Sequence, residues 1–209
     1  MGGGVADALA QGKLTSDFNM TRLTIKSSSP EARYKRGRRR TAPAPVAEIQ
    51  SLPRRGWLAL LVSLAVVYAA SGLGALASIQ AKSFYALLQQ PDWAPPAAVF
   101  APVWTTLFTM MGFSAWLVWR EPGHRRALVL FGVQLAVNVL WSWLFFAWHQ
   151  GAMAFADVVL LECLILVTAF RFWAHSRLAA LLLLPYAAWV GFAAVLNFWL
   201  WQHNPGLLG

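Results

Sequence analysis

Five stretches of about 20 apolar residues follow one another along this chain, and no other feature constrains its fold so tightly. They run roughly over 57–79, 98–119, 127–148, 152–173 and 180–202. A helix needs about 20 residues to cross the hydrocarbon core of a bilayer. Of the 209 residues 58% are hydrophobic and 12% charged, against roughly 45–50% and about 25% in soluble domains. So little charge cannot solvate a globule of this size. The spacing predicts an all-α membrane protein, a bundle of five transmembrane helices with one long connection after the first. The other hinges are short: Glu121-Pro122-Gly123, His149-Gln150-Gly151 and His175-Ser176. Connections of that length force antiparallel neighbours.

The charge is unevenly placed. Residues 1–56 hold 11 Lys/Arg and 4 Asp/Glu, while residues 57–209 hold 6 and 4. The formal +9 therefore belongs to a basic tail, and a nucleic-acid partner is not expected. Residues 1–56, rich in Gly, Ser, Pro and Arg, bury too little apolar surface to order themselves and are expected to be a disordered basic tail. No short apolar stretch of the secretory type precedes the first span. A transit peptide and a start at Met20 are the alternatives. Residues 57–204 form the expected bundle, and 205–209 a C-terminal tail. The N-terminus and the second and fourth hinges carry 16 basic residues, whereas the opposite side carries Lys82 alone. The positive-inside rule then puts the N-terminus on the cytoplasmic side of an integral, multi-pass protein. Bacterial envelope and organelle membrane are both compatible with it.

Candidate chemistry lies in polar and aromatic side chains inside the spans, since burying polar groups in a bilayer is costly. Gln134, Asn138, Trp141, Phe145 and Trp148 fall at helical spacing on one face of the third span. Phe100, Trp104, Phe108 and Met111 make a stripe in the second, and Tyr186, Trp189, Ala193 and Asn197 in the fifth. Three such faces could converge on a flat apolar ligand, with Trp and Phe stacking and amides orienting it. Core packing and interhelical amide bonds account for the same spacing. The connection 80–97 carries Ser83-Phe84-Tyr85 and Pro91-Asp92-Trp93-Ala94-Pro95-Pro96. It suits a lid across the bundle mouth or an aromatic belt at the headgroups.

Asp157 and Glu162 lie about 140° apart on the fourth span, so they are no paired-carboxylate site. Asp157 could cap the pocket or bond to the amides, and either carboxylate could serve a proton-coupled carrier. The four His fall at span ends, Cys163 is the single cysteine, and no nucleophile stands beside a base. No metal and no cofactor are expected. Ala70, Gly74 and Ser78 put small residues on one face of the first span, which suits a dimer contact or internal packing equally.

Taken in order, one set per span, the motifs Pro91-Asp92-Trp93-Ala94-Pro95-Pro96, Phe100-Ala101-Pro102-Val103-Trp104, Gln134 to Trp141, Asp157, and Leu184-Pro185-Tyr186-Ala187-Ala188-Trp189 with Asn197 and Asn204 resemble the TspO/translocator protein family, the tryptophan-rich sensory proteins. The resemblance covers residues 57 to 204. It implies a five-helix bundle, commonly a homodimer, whose pocket is closed by the first loop and takes porphyrins, sterols and synthetic drugs. Carried over by motif, the ligand-binding residues are Tyr85, Trp93, Trp104, Phe108, Gln134, Asn138, Trp141, Trp189 and Ala193. Phe198 stands where some members have the Tyr of a sterol-recognition pattern, and no basic residue follows. That departure disfavours sterol and favours a tetrapyrrole held by stacking. The expected function is a membrane receptor or sensor for porphyrin-type ligands in tetrapyrrole or stress signalling. The alternatives are a light-dependent porphyrin-degrading enzyme, with Trp104 or Trp189 as the redox group, and a transporter.

Overall fold

A computed structural model describes residues 54–209, so the basic tail expected over 1–56 falls outside the described residues up to position 53. Its last three positions already belong to the first span: α1 runs from Arg54 to Ala77. After it come α2 (Ala81–Leu87), a 3-10 turn (Ala97–Val99) and α3 (Phe100–Trp119). Then follow α4 (Arg125–Ser142), which continues as a π-helical turn (Trp143–Ala147), α5 (Gly151–Trp173) and α6 (Arg177–His203). A last turn, α7, spans Pro205–Leu208. All regular structure among the described residues is helical. Five helices are long and apolar enough to cross a membrane: Gly56–Ala77, Ala97–Trp119, Arg125–Ala147, Gly151–Trp173 and Arg177–His203.

Large apolar side chains cover the outside of this bundle, among them Leu61, Val66, Leu73, Val129, Leu160, Phe170 and Val195. In water such a surface would aggregate. In lipid it is matched to its solvent, which is why hydropathy alone locates the spans without saying which face of each turns inward.

Polar side chains and small residues set the internal packing. Ser63 Oγ donates to Gly112 O at 2.7 Å, bonding α1 to α3. Gly112 permits this contact, because a Cβ there would stand 2.6 Å from Leu64 Cδ2. Thr109 Oγ1 gives its proton to Thr105 O at 2.8 Å, so Tyr68 OH must donate to Thr109 Oγ1 across 2.7 Å. Ser114 Oγ donates to Ala179 O at 2.7 Å and ties α3 to α6. Gly74 faces inward, where a Cβ would meet Ser142 Oγ at 3.2 Å. At this position the small-residue stripe of α1 serves packing within the chain.

The connection between α1 and α3 is half helical. Phe84 of α2 stacks on His149, ring centroids 4.1 Å apart, and Tyr85 OH donates to Pro95 O at 3.4 Å. Within the expected C-terminal tail, 205–209, Pro205–Leu208 form α7, and Leu208 is fully buried. Gly151 makes room for that turn, since a Cβ there would meet Leu208 O at 2.7 Å and Trp201 Cδ1 at 2.8 Å.

Candidate functional site

A cavity of about 520 Å³ lies between α1, α2, α3, α4 and α6, within the range typical of small-molecule sites. Its walls come from the faces that helical spacing brings together. From α3 come Phe100, Trp104, Thr105 and Phe108; from α4 and its π turn come Asn138, Trp141, Ser142, Phe145 and Phe146. Ala193, Leu196, Asn197 and Leu200 of α6 close the third side. Ser71, Gly74 and Ala75 of α1, Ser78 just past its end, and Ala81, Lys82 and Tyr85 of α2 complete it. Ala75, Ala101 and Thr105 line the cavity and are also exposed, so it opens between α1 and α3.

The aromatic wall is rigid. Trp141 stacks on Phe145 with centroids 5.6 Å apart and planes 13° from parallel. Phe146 meets Phe145 edge-on at 5.0 Å. Across the cavity Trp104 lies against Phe108 at 5.8 Å and meets Tyr186 edge-on at 6.2 Å. Offset and edge-on arrangements of this kind hold each ring through its neighbours.

Both side-chain amide nitrogens of the wall and the Trp141 indole are bound into the protein. Trp141 Nε1 donates to Asn197 Oδ1 at 3.1 Å, and Asn197 Nδ2 donates to Gly151 O at 3.2 Å. Asn138 Nδ2 donates to Tyr186 OH at 3.1 Å. These bonds satisfy groups that would otherwise be buried bare, and they leave Asn138 Oδ1 and the Ser71 and Ser142 hydroxyls beside an otherwise aromatic and apolar wall.

Of the residues expected at the site, Tyr85, Trp104, Phe108, Asn138, Trp141 and Ala193 line the cavity. Gln134, Trp93 and Trp189 do not. Gln134 is fully buried one turn below Asn138, its Nε2 3.9 Å from Met111 Sδ and its Oε1 without a partner. Trp189 packs between Phe100 and Phe192, and the half-exposed Trp93 meets Phe192 edge-on at 5.8 Å. Both belong to an aromatic layer behind the cavity wall. Trp148, on the same α-helical stripe as Trp141, is 52% exposed. The π turn at Trp143–Ala147 is wider than an α turn and swings the stripe off its face before it reaches Trp148.

The carboxylates depart further from expectation. No residue of α5 lines the cavity, so Asp157 does not cap it and Glu162 does not enter it. Sequence reasoning also passed over the α1 wall, Phe146 of the π turn and Lys82, whereas Phe145 stood on the expected face. The available signal for α1 was its run of small residues, which leaves space along one face.

Residues 59–202 match the TspO/MBR family. The chain belongs to that family. Among curated members of the TspO/MBR family it is 43% identical over 128 residues to the translocator protein of Ovis aries, covering 59% of this chain and 76% of the relative. It is 41% identical over 126 residues to the tryptophan-rich protein TspO of Chlorobaculum tepidum (58% and 80%). The tryptophan-rich protein TspO of Archaeoglobus fulgidus is 33% identical over 150 residues (70% and 97%). TspO/MBR membership and five apolar helices make the chain an integral, multi-pass membrane protein.

Proposed function

We propose that this TspO/MBR protein is a membrane receptor for flat aromatic ligands of the tetrapyrrole type, such as protoporphyrin IX, and that occupancy of its cavity regulates tetrapyrrole or stress signalling. One observation carries the reading. Trp104, Phe108, Trp141 and Phe145 converge on one cavity while its side-chain amides are engaged by the protein. Such a site selects a broad apolar π-surface and needs no metal ligand.

A light-dependent porphyrin-degrading activity is the second reading, favoured by the place of Trp104 in the wall. Trp189 is set behind that wall, which leaves Trp104 as the tryptophan of the original pair that a guest would touch. Loss of porphyrin absorbance in light that stops in Trp104→Phe, with binding retained, would support it. The name of the Ovis aries relative, translocator protein, raises a carrier reading as well. Asp157 and Glu162, the carboxylates available to couple protons, lie off the cavity, and this reading is set below the other two.

The test is a titration of detergent-solubilised protein with protoporphyrin IX, following tryptophan fluorescence. Saturable quenching at micromolar ligand, weakened in Trp104→Leu, supports the receptor reading. Linear, unsaturable quenching in both proteins rejects it.

A further inference from the structure

Lys82 is out of place by the ordinary rule for membrane proteins. Arg120, Arg125, Arg126, Arg171 and Arg177 all lie at one end of the bundle, at the α3–α4 and α5–α6 turns. Lys82 sits at the other end, the only Lys or Arg there among the described residues. A lysine on the side that basic residues otherwise avoid calls for a local reason.

The cavity supplies one. Lys82 lines it from α2, three residues before Tyr85, and so on the same helical face. The residue is exposed and borders the cavity, where a lysine can lay its alkyl stem on apolar surface and keep its ammonium in water. No acidic side chain is among the lining residues. Inside, Asn197 is engaged at both its oxygen and its nitrogen, and Asn138 commits its amide nitrogen to Tyr186. The site therefore combines an apolar aromatic interior with a single cation at its edge.

We propose that Lys82 is a specificity-determining residue: it pairs with a carboxylate at the margin of an aromatic ligand whose ring system lies against Trp104 and Trp141. The preferred ligand is then an anionic amphiphile, a planar apolar body with its acid groups on one side. A neutral ring system of the same size binds less well. This inference rests on the reading of the cavity as a tetrapyrrole site, and adds the charge that the guest must carry.

The experiment compares protoporphyrin IX with its dimethyl ester, which keeps the ring and removes the charge. Binding is followed by the shift of the porphyrin absorption band, in a non-ionic detergent, for wild type, Lys82→Met and Lys82→Arg. An ion pair at a partly exposed rim predicts that wild type prefers the free acid about threefold to fivefold. Lys82→Met abolishes that preference by weakening the acid alone, and Lys82→Arg keeps it. A preference that survives Lys82→Met overturns the proposal. So does an equal loss for both porphyrins, which would assign Lys82 a packing role through its stem. If neither porphyrin binds wild type saturably, the tetrapyrrole reading fails and the anchor with it. Binding of both with equal affinity in wild type sinks the anchor and leaves that reading standing.

Discussion

Asn204 holds Gln89 from 115 positions away in the chain. Its Oδ1 accepts from Gln89 N at 2.7 Å, and its Nδ2 donates to Gln89 O at 3.0 Å and to Leu200 O at 2.9 Å. One amide thus pairs with both backbone groups of a residue just past α2, and fixes the first connection to the end of α6. Asn204→Ala should hand the N–H and C=O of the exposed Gln89 to solvent, at a cost of about 0.5–1.5 kcal/mol. Hydrogen exchange at the Gln89 amide should quicken, with little change in exchange at the middle of α6. Unchanged protection at Gln89 would show that the Phe84–His149 stack alone holds the connection.

Asn197 couples three elements, accepting from Trp141 Nε1 and donating to Gly151 O. Asn197→Leu strands the buried indole N–H of Trp141, while Gly151 O keeps its place in the ladder of α5. Thermal unfolding in detergent should move down by the equivalent of about 1–3 kcal/mol. A loss below about 0.5 kcal/mol would mean that neither bond contributes appreciably.

Gln134 makes the opposite prediction. Its Oε1 is buried without a partner, and its Nε2 has only the long contact to Met111 Sδ. Replacing such a group by an apolar one of similar shape is near neutral or stabilising. Gln134→Met should keep or raise the melting temperature and leave porphyrin affinity within about twofold. A tenfold loss of affinity would put Gln134 back among the ligand-binding residues.

Tyr85 offers a pH test outside the spans. Burial raises its phenol above the ordinary value of 10.0. A group whose pKa is raised by folding contributes stability that is intact below the unfolded value and fades as pH climbs through the folded one. Ionisation also removes the proton that Tyr85 OH donates to Pro95 O. The connection over 88–97 should therefore loosen above about pH 10, seen as faster proteolysis there in wild type. Tyr85→Phe should show no such alkaline step, and a step of equal size in that variant would refute the assignment.

The spans were legible in the sequence because length and hydropathy decide them, and each expected boundary lies within a few residues of the observed helix. The inward faces of α3 and α6 were legible too, since Trp104, Phe108, Ala193 and Asn197 follow an unbroken α-helical period to the cavity. Trp189 was misplaced because periodicity gives direction and not depth: it points inward but stops behind Phe100. Trp148 failed for a different reason, a π turn that no residue type announces. Asp157 was drawn toward the pocket by the cost of intramembrane charge, a rule that gives no azimuth around the bundle. The wall contributed by α1 was hidden because a small residue such as Gly74 looks alike whether it admits a neighbouring helix or borders an open space.

The most direct test fills the cavity from within. Ala193 lines it and is 8% exposed, whereas Ala188, on the same helix, faces outward. Protoporphyrin IX is titrated into wild type, Ala193→Phe and Ala188→Phe, with binding read from the porphyrin absorption band and folding from the melting temperature. Ala193→Phe should remain folded and lose at least about tenfold in affinity, because the added ring occupies the space that the guest needs. Ala188→Phe should bind like wild type. Equal affinity in all three folded proteins would mean that the porphyrin binds elsewhere, and would contradict the assignment of this cavity as the ligand site.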